Sequence, residues 1–235
     1  TPGAQRINVS QTDLLAAPSY IGINSSDLPF ISIASGNWNS PATWNKNTVP
    51  SCTDVVTISA GTAVTINSSG NSSKIVNILE TGQLAVTSGD LTIGCTLNNN
   101  SLINQGTLSV SGGMLNINGN FSNIATASFN QSGGTIVVDG NNNGLTSSSV
   151  LTGTPLVHLI ATTPANLSLT GGTLQIIDPH VGNALANYAL LITQGGGSNL
   201  ANPSHTVAFG NGISTNAGGN TNGFYMNLSD GLSNF

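Results

Sequence analysis

One phrase returns along this chain and sets the rhythm of whatever it folds into. A small polar residue, then glycine, then a short apolar run occurs at Ser88-Gly89-Asp90-Leu91, Ser111-Gly112-Gly113-Met114, Ser132-Gly133-Gly134-Thr135 and Thr170-Gly171-Gly172-Thr173. The first three copies follow one another at a step of roughly 20, and the last, longer step reads as two turns of about 19. Strand signals crowd around these phrases: DVVTIS, TAVTIN, KIVNIL, QLAVTS, TLSVSG, MLNING, TIVVDG and TLQIID alternate in polarity or form short apolar runs. Each is bounded by Gly, Asn, Ser or Asp. Helix signals are nearly absent; only NALANYALLITQ, residues 183–194, offers a turn or two. A period near 20 with two or three strands per turn predicts an all-β chain, a right-handed parallel β-helix. An antiparallel β-sandwich is the alternative, because its turn signals also recur at short, regular intervals.

Stacking explains the composition. Only 5% of the 235 residues are charged, while 38% are hydrophobic. In a stack of parallel turns, equivalent positions repeat at about 4.8 Å. Like charges in such a column repel, whereas Asn, Ser and Thr hydrogen-bond to their own copies. Glycine serves the corners that need positive φ. Disorder is a poor account, since disordered chains are charged and poor in Val, Ile and Leu.

The charge balance excludes partners. Net charge is −5, and Arg6, Lys46 and Lys74 are the only basic residues. Nucleic acid needs clustered Lys and Arg, and an anionic membrane surface likewise needs basic segments. No apolar run reaches the ~18 residues of a transmembrane helix, so no membrane insertion is expected. The chain opens at Thr1 without a signal peptide and reads as a mature or excised segment.

Residues 1–34, with Pro2, Pro18 and Pro29, read as an extended N-terminal arm, and residues 35–235 as the repeating body. A cap is expected at 35–53, and the turns toward the C-terminus are less regular. Open strand edges at the ends of a stack invite aggregation unless covered. The cover is SGNWNSPATWN, whose Trp38 and Trp44 are the only tryptophans. Plugging the core is the preferred reading for both. Sugar stacking is the other, with Tyr188 and Tyr225 as further platforms for surface glycans. Cys52 and Cys95 read as one disulfide stapling cap to body, with two buried thiols as the alternative. SYIGIN and LPFISIA carry strand-like residues Tyr20, Ile21, Ile23, Phe30, Ile31 and Ile33 that suit self-association by pairing with a neighbour's open edge.

Catalytic chemistry finds little footing. A lyase needs a base with cations or Ca²⁺, and a glycosidase needs two close carboxylates. The acids are mostly isolated in sequence. Asp54 and Lys74, one period apart, read as stacked neighbours forming a surface ion pair. Asp139 and Asp178, two periods apart, read as separated by one turn. His158, His180 and His205 lack metal-ligand spacing, so neither a metal nor another cofactor is expected and no catalytic residue is assigned. Ice binding on a threonine array is a remote reading, because Thr57, Thr65, Thr92 and Thr107 do not keep one position per turn.

The stretch GNWNSPATWNKNTVPSCTDVVTISAGTAVTIN, residues 36–67, resembles the opening of stalk repeats in very large surface proteins of gliding and environmental bacteria exported by type IX secretion. Gly36, Trp38, Thr43, Trp44, Val49, Pro50, Asp54, Val56, Thr57, Ile58, Val64, Thr65 and Ile66 carry the match. Cys52 departs from the pattern, and the likeness beyond this opening is one of composition. The resemblance implies a secreted, cell-surface β-helical adhesin, stalk or filament protein, non-catalytic, associating with itself or with neighbouring domains of a larger chain.

Overall fold

A computed structural model describes residues 28–95, 101–124, 126–140, 155–178, 189–194, 204–212 and 226–229. Its strands in chain order are β1 (Phe30–Ile31), β2 (Gly36–Asn37), β3 (Val55–Ile58), β4 (Ala63–Ile66), β5 (Asn71–Ser73), β6 (Ile75–Ile78), β7 (Gln83–Val86), β8 (Asp90–Ile93) and β9 (Leu102–Asn104). There follow β10 (Thr107–Val110), β11 (Met114–Asn118), β12 (Phe121–Asn123), β13 (Ser128–Asp139), β14 (Val157–Ala161), β15 (Leu167–Ile176), β16 (Leu190–Gln194), β17 (His205–Phe209) and β18 (Met226–Ser229). Helix among the described residues is confined to two single 3-10 turns, Pro41–Thr43 and Pro164–Asn166.

Alternation decides what each strand buries. Successive side chains point to opposite faces of a strand, and in VVTI, AVTI, IVNI and DLTI the second and fourth residues are buried. Parallel pairing then places each buried residue on its counterpart. One inward column runs Val56, Val76, Leu102, Phe121, Val157, Leu190. A second runs Val64, Leu84, Leu108, Phe129, Leu167. These columns form one continuous hydrophobic cluster, each buried aliphatic side chain contributing about 1.5–3 kcal/mol.

The column Ile58, Ile78 becomes polar at its next two positions, Asn104 and Asn123, before returning to Leu159. Both asparagines are fully buried. Asn104 Nδ2 donates to Asn123 Oδ1 at 2.6 Å and to the Ser128 carbonyl at 2.9 Å. Asn123 Nδ2 donates to the Ile160 carbonyl at 2.9 Å, and the Gly106 N–H donates to Asn104 Oδ1 at 3.1 Å. Here asparagine bonds to asparagine within the core, where the two satisfy one another and the adjoining backbone.

The expected right-handed parallel β-helix is corrected by the strand order. The strands gather into two parallel sheets. Eight strands form one, in the order β1-β3-β6-β9-β12-β14-β16-β18. The other runs β2-β4-β7-β10 along a first limb, passes through β13, and returns along a second limb as β11-β8-β5. It is a half-barrel, not the separate faces of a uniform solenoid. The steps between paired residues are uneven too. Val64 pairs with Leu84 and Leu84 with Leu108, but Phe129 finds its partner, Leu167, nearly twice as far along the chain. That long step is a single turn of the stack, because β15 pairs directly with β13. Asp139 and Asp178 therefore flank adjoining strands, with no turn between them. The antiparallel sandwich is corrected as well: every ladder between named strands is parallel, and the isolated bridge Ser32–Trp44 is antiparallel.

A Ser-Gly-Gly phrase sits where the limbs fuse; at residues 111–113 the phrase makes a bend that separates β10 from β11, whereas at 132–134 it is taken inside one strand. Ser132-Gly133-Gly134 lies inside the 12-residue β13, with register shifts between Gln131, Ser132 and Thr135. Gly134 has φ +65°, so the bend is taken within a bulged strand and pairing continues on both sides. A Cβ there would also lie 2.6 Å from the Gly112 carbonyl oxygen of the turn below. Gly61, at φ +74°, has nothing within 4 Å of where a Cβ would stand. Gly61→Ala is expected to cost about 1 kcal/mol through backbone strain alone, and Gly134→Ala about 3 kcal/mol or more. Equilibrium unfolding of the two variants checks this; equal losses would show that the stacked corner is not the constraint.

Candidate functional site

The start of the stack holds a concentration of unlike side chains. Gly36 lets the chain pass close to Thr43, whose Oγ1 a Cβ at residue 36 would approach to 2.7 Å. Thr43 Oγ1 donates to the Asn37 carbonyl at 2.9 Å and locks the 3-10 turn onto β2. The turn delivers Trp44 against Trp38, edge to face, with centroids 5.0 Å apart. Trp44 Nε1 donates to the Trp38 carbonyl at 2.8 Å. Phe30 packs edge-on to Trp44 at 6.3 Å, and the Lys46 ammonium sits 4.5 Å above the Phe30 ring. This contact is of the cation–π kind. Backbone groups of β1 are occupied as well. The Ile31 N–H donates to Asn45 Oδ1, and the Asn45 and Ile33 N–H groups donate to the Ile31 and Thr43 carbonyls, each at 2.9 Å. A strand edge treated in this way offers little to an incoming strand.

Burial decides between the two readings of Trp38 and Trp44. Trp38 and Trp44 are each 1% exposed, so neither ring face is open to a sugar. They plug the core. Tyr188 and Tyr225 lie outside the described residues, as do Tyr20, Ile21, Ile23 and His180. Of the remaining self-association residues, Phe30 is buried in the plug and Ile31 is half-buried in β1. Ile33 stands 63% exposed beside them.

Cys52 and Cys95 form a disulfide with Cα atoms 5.4 Å apart. It ties the loop entering β3 to the end of β8 across 43 residues, a closure the chain-entropy account values at about 4 kcal/mol. The Asp54–Lys74 reading is half right. The Lys74 N–H donates to the Asp54 carbonyl at 2.8 Å, so the two are stacked. The Asp54 carboxylate is instead engaged by Ser51, whose N–H and Oγ donate to Oδ2 at 2.8 and 2.6 Å.

The outward columns make three unlike surfaces. On the first limb, Thr65, Ala85, Ser109, Asn130 and Ser168 follow one another, beside Ala63, Gln83, Thr107 and Ser128. Every one is uncharged and most are small. On the second limb, Asp90, Met114, Thr135, Thr173 and Thr206 form a column. On the eight-stranded sheet, Thr57, Asn77, Ile103, Ser122, His158 and Leu191 share a column flanked by Val55, Ile75 and Ile160. Thr57, Thr65, Thr92 and Thr107 fall in separate columns, as their sequence spacing implied; the threonines that align are Thr135, Thr173 and Thr206. Composition hid them, because Thr135, Thr173 and Thr206 share a register only once the long step from β13 to β15 counts as one turn.

Burial sets the titration of two histidines. His158 lies half-buried on the outer face of β14, and desolvation holds its imidazole below the usual range. Desolvation does the same at His205, whose Nε2 donates to Gln131 Oε1 at 3.1 Å. Gln131 Nε2 in turn donates to the Thr173 carbonyl at 2.9 Å, which fixes the direction of that bond. Among the described residues no group of three His, Cys, Asp or Glu gathers to hold a metal, and no helix is long and apolar enough to cross a membrane. No family model, curated protein or solved structure matches the chain.

This geometry sets both the stability of the cap and the protein's response to pH. Reducing the disulfide should lower stability by about 2–5 kcal/mol, and Trp44→Ala by about 3–5 kcal/mol, both read by denaturant unfolding. Since the folded state holds His158 and His205 below their unfolded values, the unfolded chain binds more protons as pH falls through about 6.5, and stability drops there. A His158→Gln variant should show a flatter dependence of melting temperature on pH between about 7 and 5 than the parent.

Proposed function

We propose that this chain is a non-catalytic, extracellular structural or adhesive protein: a stalk or filament subunit of a bacterial cell surface. The observation that carries this reading is the first-limb surface. Five successive strands present small uncharged side chains in register, a regular face suited to lying against another protein surface. Two further features support it. The disulfide fits an oxidising compartment outside the cytosol. The residues of the type IX stalk-repeat resemblance have structural roles in the cap: Gly36 and Thr43 set the turn, Trp38 and Trp44 fill the core end, and Val56, Ile58, Val64 and Ile66 begin the inward columns.

Association with copies of itself or with neighbouring domains of a longer chain is part of the proposal. Electron microscopy of the native material tests it. Rods or filaments with a repeat along the strand-stacking direction are expected. Isolated compact particles at every concentration, with no longer parent chain in the native material, would contradict it.

A further inference from the structure

Nine Asn-x-Ser triplets without proline at the middle position occur along the chain, and none is Asn-x-Thr. Such triplets are acceptors for N-linked glycans where the asparagine is accessible on the surface of a secreted protein. The fold sorts those among the described residues. Asn71 is 5% exposed, and its Nδ2 donates to the Ser68 and Asp90 carbonyls. Asn120 is also 5% exposed. A glycan on either would have to pass through packed protein. Asn130 stands mid-strand in β13, half-buried in the first-limb column between Ser109 and Ser168. Asn166 is half-buried at the end of a 3-10 turn, and its triplet runs on into β15; the triplet at Asn227 lies within β18, where Asn227 pairs with Leu191 of β16.

Asn67 differs from all of these. It is exposed just past the end of β4, in the triplet Asn67-Ser68-Ser69, and Ser69 is exposed too. Gly70 follows at φ +81°, which turns the chain from the first limb to the second. The Asn67 carboxamide makes a single exposed hydrogen bond, donating to Asn37 Oδ1 at 3.2 Å. The triplet lies outside the strands, and its backbone is held by the next turn, with Ser88 Oγ donating to the Asn67 carbonyl at 3.4 Å and the Asp90 N–H to the Ser68 carbonyl at 3.1 Å, so the Asn67 carboxamide is the part open to a transferase.

The geometry points to Asn67 as the attachment site of an N-linked glycan. In the transfer, the Asn67 amide nitrogen forms a bond to the anomeric carbon of a lipid-diphosphate-linked oligosaccharide. The bond from that carbon to the diphosphate oxygen breaks, the lipid diphosphate leaves, and the amide proton passes to the transferase. The attachment also meets a physical need. Three basic and eight acidic side chains serve the whole chain, and uncharged regular sheets associate without control unless something hydrophilic guards them. A glycan on this corner stands between the two limbs, beside both faces, and leaves the first-limb columns bare for specific contact.

Glycopeptide mass spectrometry of the native protein, with Asn67→Gln and Asn71→Gln variants made in the native host, tests the assignment. The Asn67 peptide should carry sugar mass that N67Q abolishes with the melting temperature unchanged. N71Q should lower the melting temperature and leave the glycan in place. An Asn67 peptide found only at its unmodified mass, or sugar found on Asn71, would overturn the assignment.

Discussion

The structure depends on in-register parallel stacking. At a spacing of about 4.8 Å, every side chain meets its counterpart in the turn above and below. That contact is favourable for Val on Val or Asn on Asn and unfavourable for like charges. The fold follows from this single constraint at several levels. Inward columns stay apolar and merge into one core. Where they turn polar, at Asn104 and Asn123, the two residues face each other and bond. The outward columns of the first limb stay neutral, the second-limb column carries a single acid, Asp90, with no like charge as its register partner, and most of the other charged residues sit at corners and in the cap.

A stack of this kind has ends, and its start is closed by chemistry unlike that of its body. The aromatic plug of Phe30, Trp38 and Trp44 covers the inward columns, Asn45 bonds both backbone groups of Ile31 in β1, the Thr43 carbonyl takes the Ile33 N–H, and the disulfide ties the loop entering β3 to the end of β8. Uncharged side chains that suit stacking within one chain also suit contact between chains. The same property that builds the fold makes the surface a candidate for assembly, and this is why the functional proposal rests on the outer columns instead of a pocket.

Much of this was legible in the sequence. The strands were visible as period-2 alternation, and the plug as two tryptophans preceding the first regular strand. The pairing of Cys52 with Cys95 was visible as an even cysteine pair about two turns apart. Three things were not. Spacing alone could not show that the step from Ser132 to Thr170 is one long turn, since a step of that length divides as readily into two short ones. Nor could it show that the Gly-Gly corner is absorbed into β13, because a glycine at positive φ serves a bulge as well as a loop. The inward direction of Asn104 and Asn123 was hidden because asparagine in LIN and FSN reads as polar and outward. Only the partner one turn away makes its burial tolerable.

Neighbouring charges placed in one outward column test the stacking most directly. Ala85 and Ser109 are register partners on the first limb, whereas Ser122 belongs to the other sheet. In a double-mutant cycle, Ala85→Lys with Ser109→Lys should show an unfavourable coupling of about 0.5 kcal/mol or more that weakens with added salt. Ala85→Lys with Ser122→Lys should be additive. Additivity for the first pair, at low salt, would contradict the in-register stack.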